Sequence, residues 1–321
     1  MNVHAPALAD RFDEATSVFA GDVIGDLSKF PKKLSPKYFY DVKGSELFEQ
    51  ITVLPEYYPT RTELSILRQR GGEITGLIPQ GAALIEFGAG ATTKVRLLLQ
   101  RCAFGAYVPV DISGDFLHAQ AHALATDFPA LDIYPVTADF TAPFILPAAV
   151  QAMPKVGFFP GSTLGNFEPH EACGFLRSAR KILGDGAQMI IGVDLEKDER
   201  VLRDAYNDAA GVTARFNLNV LVRINQELGG NFDLSAFTHR AIYNRERHRI
   251  EMHLISRKPQ TVRILGRSFA FRSGESIHTE SSYKYSLERF TALARGSGWT
   301  PTASWTDAGG MFSVHALVAD A

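Results

Sequence analysis

The stretch from Ile85 to Gln100, IEFGAGATTKVRLLLQ, places an acid and two glycines between an apolar run and a helix-like run. Glu86 lies in the apolar run, and Gly88 and Gly90 follow it. Glycines allow a ligand to approach the backbone closely, and an acid favours a positively charged group on that ligand. The stretch therefore indicates a turn that binds a small molecule with an ammonium group.

Three ligands use a glycine turn after the first strand of an α/β sheet. A phosphate-binding P-loop requires GxxxxGK[ST], but the AGATTK after Gly88 lacks the glycine–lysine pair. A dinucleotide turn requires GxGxxG, but Thr93 replaces the third glycine. S-adenosylmethionine has no phosphate, and its methionine portion needs close backbone approach and an acid for its ammonium group. The turn therefore favours this methyl donor.

Two further acids follow predicted strands. Asp111 ends the second strand, where a carboxylate can accept from both ribose hydroxyls, and Asp139 ends the third, where it can accept from an adenine amino group. Phe140 is then placed to pack against the base. Ligands of open α/β sheets bind at the carboxyl ends of the strands. Each acid alone is equally well explained as a helix cap, but the whole set favours the methyl donor.

The elements that must position these residues alternate between strand and helix. Apolar runs typical of buried parallel strands lie at 82–87, 106–112, 131–139, 155–162 and 187–195. Helices are predicted at 62–75, from Thr92 onward, at 115–128 and at 171–183. This alternation predicts a doubly wound α/β sheet.

The alternation breaks after Leu195. Helices are predicted at 196–208 and 212–228, and β-like runs at 249–258, 261–265 and 268–273, which together indicate an α+β insertion. A helix at 285–298 and strands at 300–305 and 312–319, joined by the hairpin sequence TDAGGM, complete the chain. Residues 1–60 show no long periodic pattern.

The bulk composition is that of an ordinary globular protein. The 321 residues are 45% hydrophobic and 21% charged, with a net charge of −2. The charge argues against nucleic-acid binding, and no apolar run reaches the roughly 18 residues of a membrane span. No secretory signal is recognised. The separated Cys102 and Cys173 favour a reduced, cytoplasmic compartment, and the histidines show no metal-ligand spacing.

Long stretches over almost the full chain resemble the histidine-specific α-N-methyltransferases of ergothioneine biosynthesis. They are YFYDVKGSELFEQIT (38–52), LPEYYPTRTE (54–63), EFGAGATTK (86–94), GSTLGNFEP (161–169), DAYNDAAGVTARFNLNVL (204–221), RIEMHL (249–254) and HTESSYKY. The resemblance implies a Rossmann-like class I methyltransferase domain at 61–196 and 286–321. It also implies a second, α+β substrate-binding domain, formed by the N-terminal residues 1–60 and an insertion at 197–285.

The implied reaction is methylation of the α-amino group of L-histidine by S-adenosylmethionine, as far as the trimethylated betaine hercynine. The expected protein is a cytoplasmic monomer that needs no metal and binds neither nucleic acid nor membranes. Two alternatives stay open. One is a methyltransferase for another amino acid, such as a tryptophan derivative, and the other is a non-catalytic amino-acid-binding module.

The resemblance also assigns residues. Its methyl-donor site comprises Tyr40, Gly88, Lys94, Asp111, Asp139 and Phe140, and its substrate site comprises Tyr57, Asn166, Tyr206, Glu280 and Ser282. Asn166 and Tyr40 are the expected catalytic residues. Lys94 acts either on Glu86 or on the donor's carboxylate. Phe87 and Ala89 depart from the leucine and serine that are frequent in the family's glycine loop.

The substrate residues suit an amino acid chemically. Tyr57 and Tyr206 can donate to its carboxylate, and the Asn166 amide can orient its amine. The alternatives are half-buried packing for the tyrosines and a turn-forming role for Asn166. Aromatic rings such as Tyr40, Tyr57 and Phe48 tolerate a quaternary ammonium product by cation–π contact, although core packing is the simpler role for Phe48 and Met252.

Glu280 and Ser282 suit an imidazole ring in particular. Neutral imidazole has one donor and one acceptor nitrogen, which a carboxylate and a hydroxyl can serve. If 278–284 is extended, the two side chains share one face. Indole has no acceptor nitrogen, so the pair disfavours tryptophan. The alternative for Glu280 is a solvated acid on an edge strand.

Overall fold

The computed structural model describes residues 8–320, with side chains from residue 16 onward. The chain divides into two compact units. The first unit comprises the residues up to Phe48, Tyr206–Tyr243 and Glu251–Glu280; the second comprises Glu49–Ala205, Asn244–Ile250 and the residues from Ser281 onward. The domain boundaries expected from the sequence, 1–60 with 197–285 and 61–196 with 286–321, stay a prediction.

Helices and strands follow one another throughout the described chain. The helices are α1 (Leu8–Leu27), α2 (Val42–Thr52), α3 (Tyr58–Thr75), α4 (Thr93–Leu99), α5 (Gly114–Asp127), α6 (Pro169–Leu183), α7 (Glu199–Tyr206), α8 (Val212–Glu227) and α9 (Leu287–Arg295). Short 3₁₀ turns lie at Pro36–Phe39, Ala148–Val150, Thr163–Asn166 and Leu234–Ala236. The strands are β1 (Lys32–Lys33), β2 (Ala83–Phe87), β3 (Ala106–Asp111), β4 (Val136–Thr137), β5 (Lys155–Phe159), β6 (Gln188–Asp194), β7 (Phe237–Asn244), β8 (Arg249–Ser256), β9 (Gln260–Ile264), β10 (Arg267–Phe271), β11 (Ser276–Tyr283), β12 (Trp299–Thr306) and β13 (Phe312–Ala319).

A seven-stranded sheet with the order β12-β13-β6-β5-β2-β3-β4 forms the centre of the second unit. Strands β6, β5, β2, β3 and β4 are parallel, and β13 and β12 close one end antiparallel. The chain leaves β2 for β3 on one side and later returns to β5 on the other. This reversal is a topological switch point, where open α/β sheets bind ligands, and it lies at the carboxyl end of β2.

Apolar side chains cover both faces of this sheet. Ile85 and Phe87 belong to one core cluster, with residues of α6 and α9, while Leu84 belongs to another, with residues of α3 and α4. Each large buried side chain stabilises the fold by about 1.5–3 kcal/mol. A doubly wound sheet therefore explains why its strands read as continuous apolar runs.

The second sheet has the order β1-β11-β8-β7, and a separate hairpin pairs β9 with β10. Strand β11 therefore lies inside the sheet, between β1 and β8. Within residues 8–320, no helix is long and apolar enough to cross a membrane.

The sequence predicted no element in the first 60 residues, but α1 spans 20 residues there and buries Phe19, Val23 and Leu27 at a four-residue spacing. One expectation about the strands was wrong. The third strand, expected at 131–139, is only the residue pair of β4, preceded by an isolated bridge at Ile133. The carbonyls of Tyr107 and Asp111 on β3 accept from the N–H groups of Tyr134 and Ala138 in this segment. Pro109 lies between those two β3 residues and faces the same segment, and its missing N–H interrupts the ladder.

Candidate functional site

The glycine turn follows β2 directly. Gly88 has a positive φ of 74°, a conformation that favours glycine. The N–H groups of Gly88 and Ala89 both donate to the carbonyl of Val110, at 2.9 and 3.0 Å, which holds the turn against β3. A methyl group on Gly88 would lie 3.3 Å from the Phe140 ring, whereas one on Gly90 would meet nothing within 4 Å. The turn thus has an aromatic wall at Gly88 and open space at Gly90.

Glu86 is buried at the end of β2, with 3% of its surface exposed. The Tyr107 hydroxyl donates to its Oε2 at 2.5 Å. Burial raises the pKa of Glu86 to about 8, against the opposing effects of Tyr107 and the Lys94 ammonium group. An ammonium group placed beside this carboxyl would favour its charged form.

Asp111 and Asp139 each shape the loop that follows their strand. The Oδ1 atom of Asp111 accepts from the Ser113 N–H at 2.8 Å, and that of Asp139 accepts from the Thr141 N–H at 2.9 Å. Burial raises the pKa of Asp111. A carboxylate has about four lone-pair sites, so these turn bonds are compatible with ligand binding by the same residues.

Lys94 pairs with an acid that was not predicted as its partner from the sequence. Its Nζ lies 2.6 Å from Oε2 of Glu63, which is buried on α3. Both oxygens of Glu63 also accept from the Gly161 N–H, at 3.0 and 2.9 Å. Glu63 thus ties α3 and α4 to the loop after β5. Only its place in the stretch LPEYYPTRTE pointed to it.

Asn166 ends the 3₁₀ turn in that loop and is half-buried. Gly161 and Ser162 precede the turn with φ values of 81° and 58°. A methyl group on Gly165 would lie 2.7 Å from the Tyr283 carbonyl oxygen, so the turn packs against β11 through a residue without a side chain. The fold therefore fixes the backbone beside Asn166 tightly.

Tyr57 and Tyr206 are both buried, each with 8% exposure, rather than half-buried. Tyr57 directly precedes α3. Tyr206 ends α7, and its carbonyl accepts from Nε2 of His239 at 2.8 Å, while the Asn217 amide donates to Nδ1 of the same ring at 2.9 Å. Burial lowers the pKa of His239, which favours the neutral ring. The segment that presents Tyr206 is thus fixed by a neutral histidine.

Tyr40 lies in an aromatic cluster of the first unit. Its ring centroid is 5.6 Å from that of Phe48 and 5.7 Å from that of Phe216. Phe216 was not identified from the sequence, because one phenylalanine on an amphipathic helix gives no functional signal. The π faces of this cluster are of the kind that attracts quaternary ammonium groups.

Three alternate residues share one face of the β11 segment, namely Glu280, Ser282 and Lys284, which follows the last residue of the strand. Glu280 is 8% exposed and Ser282 is 3% exposed. Because Glu280 is buried, the alternative that it is a solvated acid is wrong. The face is a buried row of polar side chains. On the opposite face, the Tyr283 hydroxyl donates to Glu168 at 2.6 Å.

Lys284 connects this row to a buried ionic cluster at the end of β6. Its Nζ lies 2.8 Å from Ser282 Oγ and 2.7 Å from Oδ2 of Asp194. Asp194 also accepts from the Tyr58 hydroxyl at 2.7 Å and pairs with Lys197 at 2.6 Å. Burial alone would raise the pKa of Asp194, but the two ammonium groups lower it overall.

None of the residues of this cluster was predicted from the sequence. Asp194 stands at the carboxyl end of the predicted fifth strand, as Asp111 does on the second, and Lys284 continues the alternation of Glu280 and Ser282. Both positional signals were present. Among residues 8–320, no group of three or more histidine, cysteine, aspartate or glutamate side chains is arranged to hold a metal ion.

A parallel sheet with its switch point at β2, an antiparallel β12–β13 pair at one end and a glycine turn followed by acids define a class I methyltransferase fold. The chain belongs to the family of histidine-specific, SAM-dependent methyltransferases, whose family model matches residues 19–319.

Relatives of known name agree with this family. The histidine N-alpha-methyltransferase of Mycolicibacterium smegmatis is 40% identical over 317 residues, which cover 95% of this chain and 96% of the relative. The enzyme of the same name from Mycobacterium tuberculosis is 39% identical and covers 91% and 92%. Ergothioneine biosynthesis protein 1 of Neurospora crassa is 30% identical over 89% of this chain but only 33% of its own length.

Proposed function

We propose that this protein transfers methyl groups from S-adenosylmethionine to the α-amino group of L-histidine. Within the family, the observation that carries the substrate assignment is the buried pair of Glu280 and Ser282 on one face of β11. A charged acceptor hydrogen bond contributes roughly 1.5–3 kcal/mol. The pair therefore supplies one to two decades of selectivity for a ring that has both a donor and an acceptor nitrogen.

The residues around the glycine turn fit S-adenosylmethionine. The open space at Gly90 suits close backbone approach, and the ring beside Gly88, that of Phe140, suits contact with a flat base. We assign the ammonium group of the donor to Glu86 and its ribose to Asp111. The adenine amino group is assigned to Asp139. Lys94 supports this end of the sheet through Glu63.

On the substrate side, we assign the carboxylate of histidine to the hydroxyls of Tyr57 and Tyr206 and its amine to the amide of Asn166. The buried phenols donate without adding net charge. Tyr40 is assigned to the donor and to the methylated amine, because its aromatic cluster stabilises a cation at little desolvation cost.

When bound, S-adenosylmethionine supplies a methyl group on a positively charged sulfur, which the amine lone pair attacks. An α-amine has a pKa of about 8, so it must lose a proton before each transfer. During transfer the positive charge passes from the sulfur to the nitrogen, so little net charge develops. The protein therefore contributes mainly by holding the two reactants close together in the correct orientation. Asn166 would orient the lone pair, and the pair on β11 would fix the ring.

The test is mass spectrometry of L-histidine incubated with the protein and S-adenosylmethionine. We expect mass gains up to three methyl units, with hercynine as the final product on the way to ergothioneine. Methylation of tryptophan in place of histidine would contradict the substrate assignment. Donor binding without transfer to any amino acid would instead indicate a non-catalytic binding module.

The proposal extends to a cytoplasmic monomer that binds neither nucleic acid nor membranes. Cys102 and Cys173 are both free thiols, which suits a reduced compartment. Light scattering at micromolar concentration should give the mass of one chain, 35.2 kDa. A dimer mass would contradict the monomer.

A further inference from the structure

Glu63 is an acid enclosed in the second unit, with 1% of its surface exposed. Its Oε2 lies 2.6 Å from Nζ of Lys94, and both of its oxygens accept from the Gly161 N–H. A buried carboxylate is costly unless it is paired and hydrogen-bonded. The ion pair therefore stabilises Glu63, and it also fixes the ammonium group of Lys94, a residue of the proposed methyl-donor site.

Lys94 lies at the switch point of the seven-stranded sheet. It belongs to the first turn of α4, directly after the glycine turn. A methyl group on Gly161 would lie 3.3 Å from its Nζ, so its ammonium group also borders the loop that follows β5. Because β2 and β5 are parallel neighbours, this ammonium group lies where open α/β sheets bind their ligands.

Two groups of opposite charge at this turn would neutralise each other if they paired. Glu86 lies near the end of β2, and the Lys94 ammonium group is close enough to oppose the rise of its pKa. Lys94 is nevertheless paired with Glu63, while the Glu86 carboxyl accepts from the Tyr107 hydroxyl. The pairing with Glu63 therefore keeps the ammonium group and Glu86 apart. The side chain of Lys94 is 17% exposed, so a ligand can reach it.

We propose that Glu63 is a positioning residue that binds the Lys94 ammonium group away from Glu86 and thereby holds it for the carboxylate of S-adenosylmethionine. This inference rests on the proposed function. The methionine portion of the donor carries an ammonium group and a carboxylate; Glu86 binds the first and Lys94 binds the second. A lysine side chain is flexible, and ordering it before the donor binds lowers the entropic cost of binding.

Glu63→Gln separates the two contacts of this acid. The side chain keeps its size, and its remaining oxygen can still accept from the Gly161 N–H. Its amide nitrogen has only donors, as the Lys94 ammonium group does, so the two groups no longer attract each other. The variant therefore releases Lys94 while it keeps the contact with the loop after β5.

The experiment compares two ligands by calorimetric titration. S-adenosylhomocysteine carries the ammonium group and the carboxylate of the donor, whereas 5′-methylthioadenosine lacks both. We expect Glu63→Gln to weaken the binding of S-adenosylhomocysteine about 10- to 100-fold, the effect of one charged hydrogen bond, and to leave the binding of 5′-methylthioadenosine unchanged. Glu73→Gln is the matched control and should keep both affinities, because Glu73 lies on the same helix and pairs with Arg70 at 2.9 Å but is exposed.

Unchanged S-adenosylhomocysteine affinity in Glu63→Gln would overturn the inference. Equal losses for the two ligands would also overturn it, because they would indicate a general distortion of the site. If the unmodified protein binds neither ligand, the proposed function fails instead, so the two failures are distinguishable.

The same titration in a Lys94→Met background is a second test. Adding Glu63→Gln there should cause no further loss of S-adenosylhomocysteine affinity, because the effect of Glu63 passes through Lys94. The double variant removes both charges of the pair and leaves no unpaired charge buried, so this comparison also decides the question if Glu63→Gln alone does not fold. A further loss in the double variant would overturn the inference.

Discussion

The carboxyl group of Glu86 has an ionisation that depends on what lies beside it. Burial raises its pKa to about 8, so without a ligand it holds a proton at neutral pH. The ammonium group of a bound donor would reverse that preference. The buried carboxyl of Glu86 is thus neutral without a ligand and becomes charged when a cationic ligand binds beside it.

Glu86→Gln should remove a pH dependence of stability. Between its unfolded pKa of about 4.5 and its folded pKa of about 8, the folded state holds a proton that the unfolded state has lost. The free energy of unfolding of the ligand-free protein should therefore fall as pH rises from about 5 to about 7.5, by at most about 1.4 kcal/mol per pH unit from this group. Urea denaturation of both proteins across that range is the measurement. Parallel curves would show that Glu86 is already ionised.

Glu280→Gln should weaken histidine binding by about 10- to 100-fold, because an amide replaces a charged acceptor. Donor affinity should be unchanged. Calorimetric titration with histidine and, separately, with the donor checks both statements. Asp233→Asn is a suitable control, because this acid is exposed and caps the 3₁₀ turn at Leu234–Ala236. Unchanged histidine affinity in Glu280→Gln would remove the ring assignment.

For single residues, type and spacing predicted where side chains lie on an element better than which side chains they contact. The alternation of Glu280 and Ser282 predicted a shared face, and β11 provides it. The partner of Lys94 was not predicted, because Glu63 lies 31 residues earlier on another helix. Sequence spacing carries no information about such a contact, which arises only when α3 and α4 pack on the same side of the sheet.

At the level of elements, a substitution in the glycine turn should change the affinity for the donor without changing the stability of the fold. A methyl group on Gly90 would meet no protein atom within 4 Å. Gly90→Ala should therefore leave the midpoint of thermal unfolding unchanged within error and weaken donor binding. Thermal unfolding and donor titration of the same variant are the measurements. Full donor affinity in a stable variant would mean that the donor does not approach this backbone.

In the loop that carries Asn166, by contrast, a glycine-to-alanine substitution should destabilise the fold. In Gly165→Ala, the added methyl group would lie 2.7 Å from a backbone oxygen of Tyr283. We expect a loss of about 1–3 kcal/mol in unfolding free energy and a lower kcat. Gly174→Ala is the control, because a methyl group there meets nothing and alanine favours a helix by up to about 1 kcal/mol. Equal stability of the two variants would contradict the close packing of the loop.

The elements also show where sequence patterns fail. The strands β2, β3, β5 and β6 were predicted because each is buried on both faces and reads as one apolar run. Helix α1 was missed because its buried residues occur only once per turn. The strand expected at 131–139 was overestimated because its apolar residues were counted without regard to Pro109, which leaves the neighbouring strand one donor short toward it.

For the whole molecule, the order of the strands is the feature that local patterns do not contain. The succession of strands and helices predicted a doubly wound sheet, and the seven-stranded sheet confirms it. The placement of β11 between β1 and β8 depends on pairing over some 250 residues, as in the register of Lys32 with Ile277. Only the folded chain shows that Glu280 is buried.

Neither a chelator nor a reductant should change the behaviour of the intact protein. The proposed reaction needs no metal, and Cys102 and Cys173 are free thiols. Burial raises the pKa of Cys102, which lowers its reactive thiolate fraction. Methyl transfer and thermal unfolding should match with and without EDTA, and with and without dithiothreitol. Loss of transfer in EDTA that zinc or magnesium restores would show that a metal is required.

The carboxylate of Glu63 restricts which residue can occupy one position of β6, a strand that carries none of the proposed ligand-binding residues. A methyl group on Gly192, inside β6, would lie 2.1 Å from Oε1 of Glu63. Glycine is ordinarily unfavourable within a strand, yet here the space is already occupied. Any larger residue at 192 would displace the acid that holds Lys94 and Gly161. A mutational scan for altered amino-acid preference should therefore vary the β11 face and keep Gly192. We expect a larger residue at 192 to weaken donor binding through Glu63 and Lys94, which would hide any change in amino-acid preference.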